Sequence, residues 1–274
     1  MMRSSENLAQ VEEYWSSNPL GSLETPFPEG SKDFFEWHAR IRDYDEGDFC
    51  QSMYEFDQHS DKKVLDIGCG NGWLVWNFAR NGAKITGVDL TSTAIELTKK
   101  RLSIYDLNAD LRVANAESLP FADNSFDYLT SAGVLHHTPD TEKAVSEAIR
   151  VLRPGGRGMI SFYYLHPLML PVLWPVTRLF IQLLFKAVPG RSQFGSVKTP
   201  DDLVRLYDGN NNPIGKAYSR ADMRRMMSNC RIEKFEIHYF PTRFLLGENA
   251  PKVVRVILDR MLGLMIYTKF EKMS

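Results

Sequence analysis

Nine residues set the frame for this chain: Val64-Leu65-Asp66-Ile67-Gly68-Cys69-Gly70-Asn71-Gly72, a short apolar run that meets a carboxylate and then three glycines at alternate positions. The pattern reads as a buried strand, a tight turn and the start of a helix expected over 72–81. A backbone that bends sharply and lies against a ligand has no room for a Cβ and often needs positive φ, which glycine alone supplies freely. The helix behind the turn, beginning near Trp73, aims free N–H groups at whatever occupies it.

Asp66 decides what that ligand is. It sits two residues before the first glycine and puts negative charge at the mouth of the loop. Two unit charges roughly 6 Å apart at an effective dielectric of about 20 interact by about 3 kcal/mol, which repels a pyrophosphate and favours an ammonium or sulfonium. The position where a dinucleotide fingerprint wants its third glycine is Trp73. A nicotinamide oxidoreductase is therefore disfavoured. Lys84-Ile85-Thr86-Gly87-Val88-Asp89 is a second apolar strand ending in a carboxylate, placed to take two ribose hydroxyls. The expected ligand is a nucleoside with a cationic arm.

The ordered segments VLDIGCGNG, GVDLT, NAESLPFADNSFDYL, GVLHHTPD and RVLRPGG resemble the successive motifs of class I S-adenosylmethionine-dependent methyltransferases, of the branch similar to ubiquinone and menaquinone methyltransferases. The close resemblance covers roughly residues 61–162. It implies an α/β, Rossmann-like, doubly wound and mostly parallel seven-stranded sheet with an antiparallel C-terminal strand. It also implies S-adenosyl-L-methionine held by Asp66, Gly68, Gly70, Asp89, Leu90, Asn115, Ala116 and Glu117, with Ser131 touching the methionine arm. In the family the loop after the third strand holds the adenine; many relatives carry Asp where this chain has Asn115, whose amide oxygen can still accept a hydrogen bond.

With 274 residues and 43% hydrophobic content, the chain has bulk for one large α/β domain and an appendage. Lys plus Arg number 33 against 34 Asp plus Glu, so no global field exists to hold nucleic acid. The cluster Arg220, Arg224, Arg225 and Arg231 reads as a solvated helix face. Three scattered cysteines, Cys50, Cys69 and Cys230, argue against a disulfide framework, and the N-terminus lacks the apolar core of a signal peptide. A cytoplasmic protein is expected, with peripheral membrane contact as an alternative.

Residues 1–60 read as an N-terminal cap of short helices, rich in aromatics. Tyr14 and Trp15 are lid candidates, since a Tyr-Trp segment lies near the cofactor in related methyltransferases, whereas Phe34, Phe35 and Trp37 read as packing. The methyltransferase domain is expected over 61–274, with strands near 63–67, 84–88, 111–114, 126–131 and 157–162 and helices near 92–106 and 140–152.

After the fourth strand comes Ser131-Ala132-Gly133-Val134-Leu135-His136-His137-Thr138-Pro139, in which Thr138 reads as an N-cap and Pro139 as the first helical residue. The two histidines lie where open α/β sheets place ligands. A metal pair is not expected, because adjacent residues on an extended backbone point apart and no suitably spaced third ligand follows. His137 is the candidate general base, with a loop-ordering role as the alternative, and His136 is assigned to the acceptor side.

Residues 163–217 match no motif of the family. Within them, 165–188 is an apolar run broken by Pro171 and Pro175, too short for a bilayer span and expected to hold a helix from 175 to 188. Such a helix serves as a substrate lid, a homodimer surface or a membrane contact, with Trp174 and Phe180 lining the lid. Residues 189–217 read as a polar surface excursion. A helix over 219–229, strands over 231–240 and 264–270, and a helix over 251–262 complete the sheet. The function expected is methyl transfer to a small, largely apolar acceptor such as a quinone or lipid-like molecule. The alternative is a non-catalytic cofactor- or partner-binding protein of the same fold.

Overall fold

The structure, a computed structural model, describes residues 2–19, 25–186, 192–209 and 211–274. Two helices come first, α1 (Met2–Ser17) and α2 (Lys32–Tyr54), the second capped by Ser31, whose hydroxyl accepts from the Phe34 N–H. An alternating unit follows: β1 (Lys63–Ile67), α3 (Trp73–Arg80), β2 (Lys84–Asp89), α4 (Ser92–Ile104), β3 (Asp110–Val113), β4 (Phe126–Ala132), α5 (Thr141–Val151) and β5 (Leu152–Tyr164). The remainder comprises α6 (Trp174–Lys186), α7 (Pro200–Tyr207), the two-residue β6 (Ala217–Tyr218), α8 (Arg220–Met226), β7 (Cys230–His238), α9 (Thr242–Leu246), α10 (Lys252–Leu262) and β8 (Met265–Lys272).

The sheet order is β3-β2-β1-β4-β5-β8-β7, with β6 beside the end of β5. Strands β1 to β5 are mutually parallel, and β8 runs antiparallel to both β5 and β7. Seven main strands with one antiparallel strand near the C-terminus match the expectation, and β6 adds a short eighth. Because the chain leaves β1 toward β2 on one side and returns to β4 on the other, the carboxyl ends of β1 and β4 flank the crevice where such sheets bind ligands.

Strand alternation builds a core on each face of the sheet. Leu65, Ile67, Leu129, Ile160 and Phe162 pack on one side, and Val64, Tyr128, Met159 and Tyr163 on the other. Helix α2 joins the second core through Phe49, Met53 and Tyr54, while Phe34 and Phe35 pack on Leu97 of α4. The expected cap of short helices is thus in part a single helix of 23 residues that shares the core of the domain.

Two boundaries differ from expectation for reasons of capping. Thr138 follows a 3-10 turn, and the cap of α5 is Asp140, whose side chain accepts from the Lys143 N–H. The polar excursion over 189–217 contains α7, which opens with a capping box: Thr199 and Asp202 exchange side-chain and backbone hydrogen bonds, with Pro200 at the first turn. Helix α6 packs with that region, not on the sheet, sharing a small core of Met169, Ile181, Phe194, Val197, Leu203 and Leu206. Residues 187–188, the end of the expected helix, lie outside the described residues. Among the described residues no helix is long and apolar enough to cross a membrane.

Candidate cofactor and acceptor site

A cleft runs along the carboxyl ends of β1, β2, β3 and β4. Asp66, Gly68, Gly70, Asp89, Leu90, Asn115, Ala116 and His137 line it, together with Leu8, Val11 and Trp15 of α1 and Arg42 of α2. The turn between β1 and α3 is shaped by its glycines. At Gly68, with φ of 80°, a Cβ would lie 2.3 Å from a Val134 methyl, so this residue fixes how closely the loop packs on the chain after β4. At Gly70, with φ of 55°, a Cβ would meet nothing within 4 Å, leaving bare backbone beside open space.

Asp66 is 1% exposed, and its Oδ1 accepts from the Thr130 hydroxyl at 3.0 Å. Burial pushes its pKa up to about 7, against the opposing pulls of the Thr130 hydrogen bond and the Arg42 charge. A cationic ligand group restores the ionised form. Asp89 accepts from the Gly70 N–H at 3.1 Å through Oδ2 and from the Thr91 N–H at 2.9 Å through Oδ1. Those bonds fix its orientation and leave lone pairs for ribose hydroxyls. Burial raises its pKa, with the donated backbone hydrogen bonds acting in opposition.

At the far end, Asn115 Oδ1 accepts from the Glu117 N–H at 2.9 Å, a local turn that leaves one lone pair and the amide N–H₂ for a base edge. Leu90 and Ala116 supply apolar surface beside it. Glu117 itself does not line the cleft. Its Oε1 accepts from the Asp140 N–H at 2.9 Å, tying the loop to the start of α5. Ser131 also falls outside: it is fully buried and donates to the Ile67 carbonyl at 3.0 Å. Thr130 turns toward Asp66, so strand alternation sends its neighbour Ser131 to the opposite face.

Arg42 was not singled out by the sequence. Its guanidinium lies 4.4 Å from the Trp73 ring centre and donates to Glu46 at 3.1 Å and to the Tyr54 hydroxyl at 3.1 Å. The Glu46 pair has ordinary i,i+4 helix spacing, a signal that gives no hint of a cleft. With Asp66 it places two opposite charges on the lining of the cleft. Behind the loop, buried Arg101 donates to Asn71 Oδ1 at 3.3 Å and to the Phe35 carbonyl at 3.0 Å, connecting the cap to the glycine turn.

The histidine pair does not sit on extended backbone. Residues Leu135–His137 form a 3-10 turn, and the two rings lie 4.2 Å apart on one side, correcting the opposite-facing arrangement on which a metal pair was discounted. His137 lines the cleft, with Trp15 edge-on to it at 5.1 Å. Its Nδ1 is 2.6 Å from the Ile214 carbonyl and its Nε2 is 3.3 Å from Asp208 Oδ2. Tyr14 comes to the same place, its hydroxyl donating to the Asp208 carbonyl at 2.7 Å. His136 is completely buried, and neither ring nitrogen has a hydrogen-bond partner among the described residues. Burial, with His137 and Lys216 adding to it, holds its pKa well below the usual histidine range.

Trp174 and Phe180 do not reach the cleft. Trp174 Nε1 donates to the Lys198 carbonyl at 2.8 Å, and Phe180 is 64% exposed on the outer side of α6. Their sequence context promised a lid, but α6 buries its inner face on the segment around Phe194 and leaves the other outward.

The fold and the loop together define the scaffold of class I methyltransferases, with a cleft suited to S-adenosylmethionine. Residues 65–160 match the family model described as "Methyltransferase domain", so the chain contains such a domain. Over 100 residues it is 42% identical to a ubiquinone/menaquinone biosynthesis C-methyltransferase of Bartonella bacilliformis, covering 35% of this chain and 38% of that protein. It is 33% identical over 100 residues to a ubiquinone biosynthesis O-methyltransferase of Coxiella burnetii, covering 36% and 43%. The matched stretch is thus less than half the length of these curated relatives. A putative methyltransferase from Bacillus halodurans has the same fold, with a TM-score of 0.55, 18% identity and coverage of 81% of this chain and 99% of that one.

Proposed function

We propose that the chain transfers a methyl group from S-adenosylmethionine to a small, largely apolar acceptor of the quinone or lipid-like class. The observation that carries this reading is a single cleft bounded by the charged and polar groups of the glycine loop on one side and by Leu8, Val11 and Trp15 on the other. Asp66 and Arg42 would hold the methionine arm, Asp89 the ribose, and Leu90, Asn115 and Ala116 the adenine. When bound, the cofactor supplies a methyl carbon already activated by its sulfonium. The protein's task is to hold an acceptor atom behind that carbon at near-attack distance and to exclude water. His137, paired with Asp208, is the group that an acceptor hydroxyl would meet at the cleft wall. Apolar contact with α1 would favour a ring or prenyl acceptor by roughly 25 cal/mol per Å² removed from water. The names of the relatives, which place them in ubiquinone and menaquinone biosynthesis, support that class. The outward apolar face of α6 is the surface on which a homodimer or a membrane contact would form.

Incubation with methyl-labelled cofactor and a panel of phenols and quinols, with and without prenyl tails, tests the reading by mass spectrometry. We expect labelled product in step with S-adenosylhomocysteine, and a lower KM for the prenylated members. Cofactor binding with no S-adenosylhomocysteine across the panel would support a binding protein instead.

A further inference from the structure

We propose that His136, His137 and Asp208 form a binding site for a divalent first-row transition metal ion just behind the cleft wall, which His137 lines. One ligand atom from each lies within 4.8 Å of the others. Two ligands each about 2.1 Å from an ion are about 3.4 Å apart in tetrahedral geometry, so the widest pair has to close by up to about 1.5 Å, within reach of side-chain rotation.

Hydrogen-bond accounting requires a cation here. A carbonyl oxygen only accepts, so the 2.6 Å contact from His137 to Ile214 makes Nδ1 the protonated nitrogen. The 3.4 Å approach of the Asn212 amide nitrogen to that same Nδ1 is longer and does not alter the assignment. In a neutral ring Nε2 then carries a lone pair, and it faces the carboxylate Oδ2 of Asp208 at 3.3 Å. Two acceptors in contact need positive charge between them. A proton on His137 satisfies that pair but leaves both nitrogens of fully buried His136 without a partner among the described residues. A metal ion engages all three residues together.

The surroundings orient the ligands as metal sites require. Ile214 fixes the His137 tautomer, and the Tyr163 hydroxyl donates to Asp208 Oδ1 at 2.9 Å, leaving Oδ2 free to ligate. Tyr14 secures the Asp208 backbone. Two imidazoles and one carboxylate select Fe²⁺, Co²⁺, Mn²⁺ or Zn²⁺ over the oxygen-seeking Mg²⁺ and Ca²⁺. Three protein ligands leave further positions for an oxygen of the acceptor, so the role of the ion, which rests on the methyl-transfer reading, is to hold and polarise a hydroxyl. The site itself does not rest on that reading.

The test uses the full chain, with any affinity tag removed and metal stripped by a chelator. Co²⁺ titration followed by visible ligand-field absorption, with Zn²⁺ and Mn²⁺ in equilibrium dialysis and elemental analysis, should show about one equivalent per chain. Asp208→Asn, which keeps the side-chain shape, and His136→Gln should each weaken binding at least tenfold while cofactor affinity by calorimetry stays within twofold. Failure of the wild-type chain to bind any of the three ions, or binding unchanged in Asp208→Asn, overturns the site. Methyl transfer by the stripped enzyme is measured alongside. Product without metal binding removes the site and leaves the proposed function standing. Metal binding without product on any acceptor does the reverse.

Discussion

The two ends of the cleft are built on different principles. At the cofactor end, Asp66, Gly68, Gly70 and Asp89 come from two adjacent strands and the turn between β1 and α3, and local backbone geometry places them almost unaided. At the acceptor end, the wall is assembled from α1 and the turn after β4, and the segment after α7 holds that turn from behind; His137 meets Ile214 across 77 residues of chain. A site that many relatives need for one shared ligand can be written in a short local motif. A site for a particular acceptor draws on segments that vary freely, because only the folded sheet brings them together.

The largest effect that tests this division is expected at Asp66. A buried carboxylate with its pKa pushed up to about 7 is held at a cost to the empty protein near neutral pH, so Asp66→Asn should trade stability for function. The sign follows from linkage. The folded-state pKa lies above the unfolded value, so the contribution of Asp66 to stability is fully present below the unfolded pKa of about 4 and is lost as pH rises through about 7. Above that pH the amide variant should be more stable than wild type without cofactor, by about 2–4 kcal/mol, read as a higher Tm. It should also bind S-adenosylmethionine about 30- to 100-fold more weakly, the loss of one charge-assisted hydrogen bond. In the wild type the same ionisation should make affinity fall as pH drops below about 7, by up to about tenfold per unit. A variant that is destabilised and binds cofactor normally would move the cationic arm elsewhere.

The contrast between the two ends also explains what was legible in the sequence. The strand-turn-helix around Gly68 and the second strand ending at Asp89 fall within a residue of where the apolar pattern puts them. Asn115, Ala116 and Leu90 lie on the cleft, as the family resemblance implied. Ser131 is on the right strand and Glu117 in the right loop, but both turn away, one by strand alternation and the other because the N-terminus of α5 claims its carboxylate. Helix α7 was readable from Thr199-Pro200-Asp201-Asp202, a capping signature hidden in a stretch otherwise full of turn residues. Asp208 was not readable, since nothing in the residues beside it announces a partner so far back in the chain. The apolar run over 165–188 was read for hydrophobicity without knowing which face would be covered.

Arg42 sits between the two ends and should show an intermediate effect with a separable origin. Its partner Glu46 is 7% exposed, so removing the guanidinium leaves a buried carboxylate with, among the described residues, no opposite charge and only the Tyr54 and Tyr267 hydroxyls donating to it. Arg42→Met should lower stability by about 2 kcal/mol, allowing for the partial exposure of the arginine, and cofactor affinity by roughly tenfold. Adding Glu46→Gln should restore most of the stability and none of the affinity. Recovery of both together would make Arg42 a packing residue of α2 and take it out of the cofactor end.

The smallest effect is expected on α6, where sequence and structure disagree most. Phe180 and Leu183 are 64% and 63% exposed, so neither is held by the fold. Replacing both by Ser removes apolar surface from solvent contact and should change stability by less than about 0.5 kcal/mol, as surface substitutions away from special features do. Cofactor affinity and turnover on a short-chain, water-soluble acceptor should stay within twofold, because the described cleft walls come from α1, α2 and the sheet. A loss of turnover greater than fivefold with cofactor affinity intact would bring α6 back to the acceptor end, as the sequence suggested, through a closure that swings its outward face over the cleft. An unchanged turnover with a prenylated acceptor presented in vesicles would separate that face from substrate delivery as well, leaving subunit association, read by sedimentation of the same double variant, as the property that its apolar side chains control.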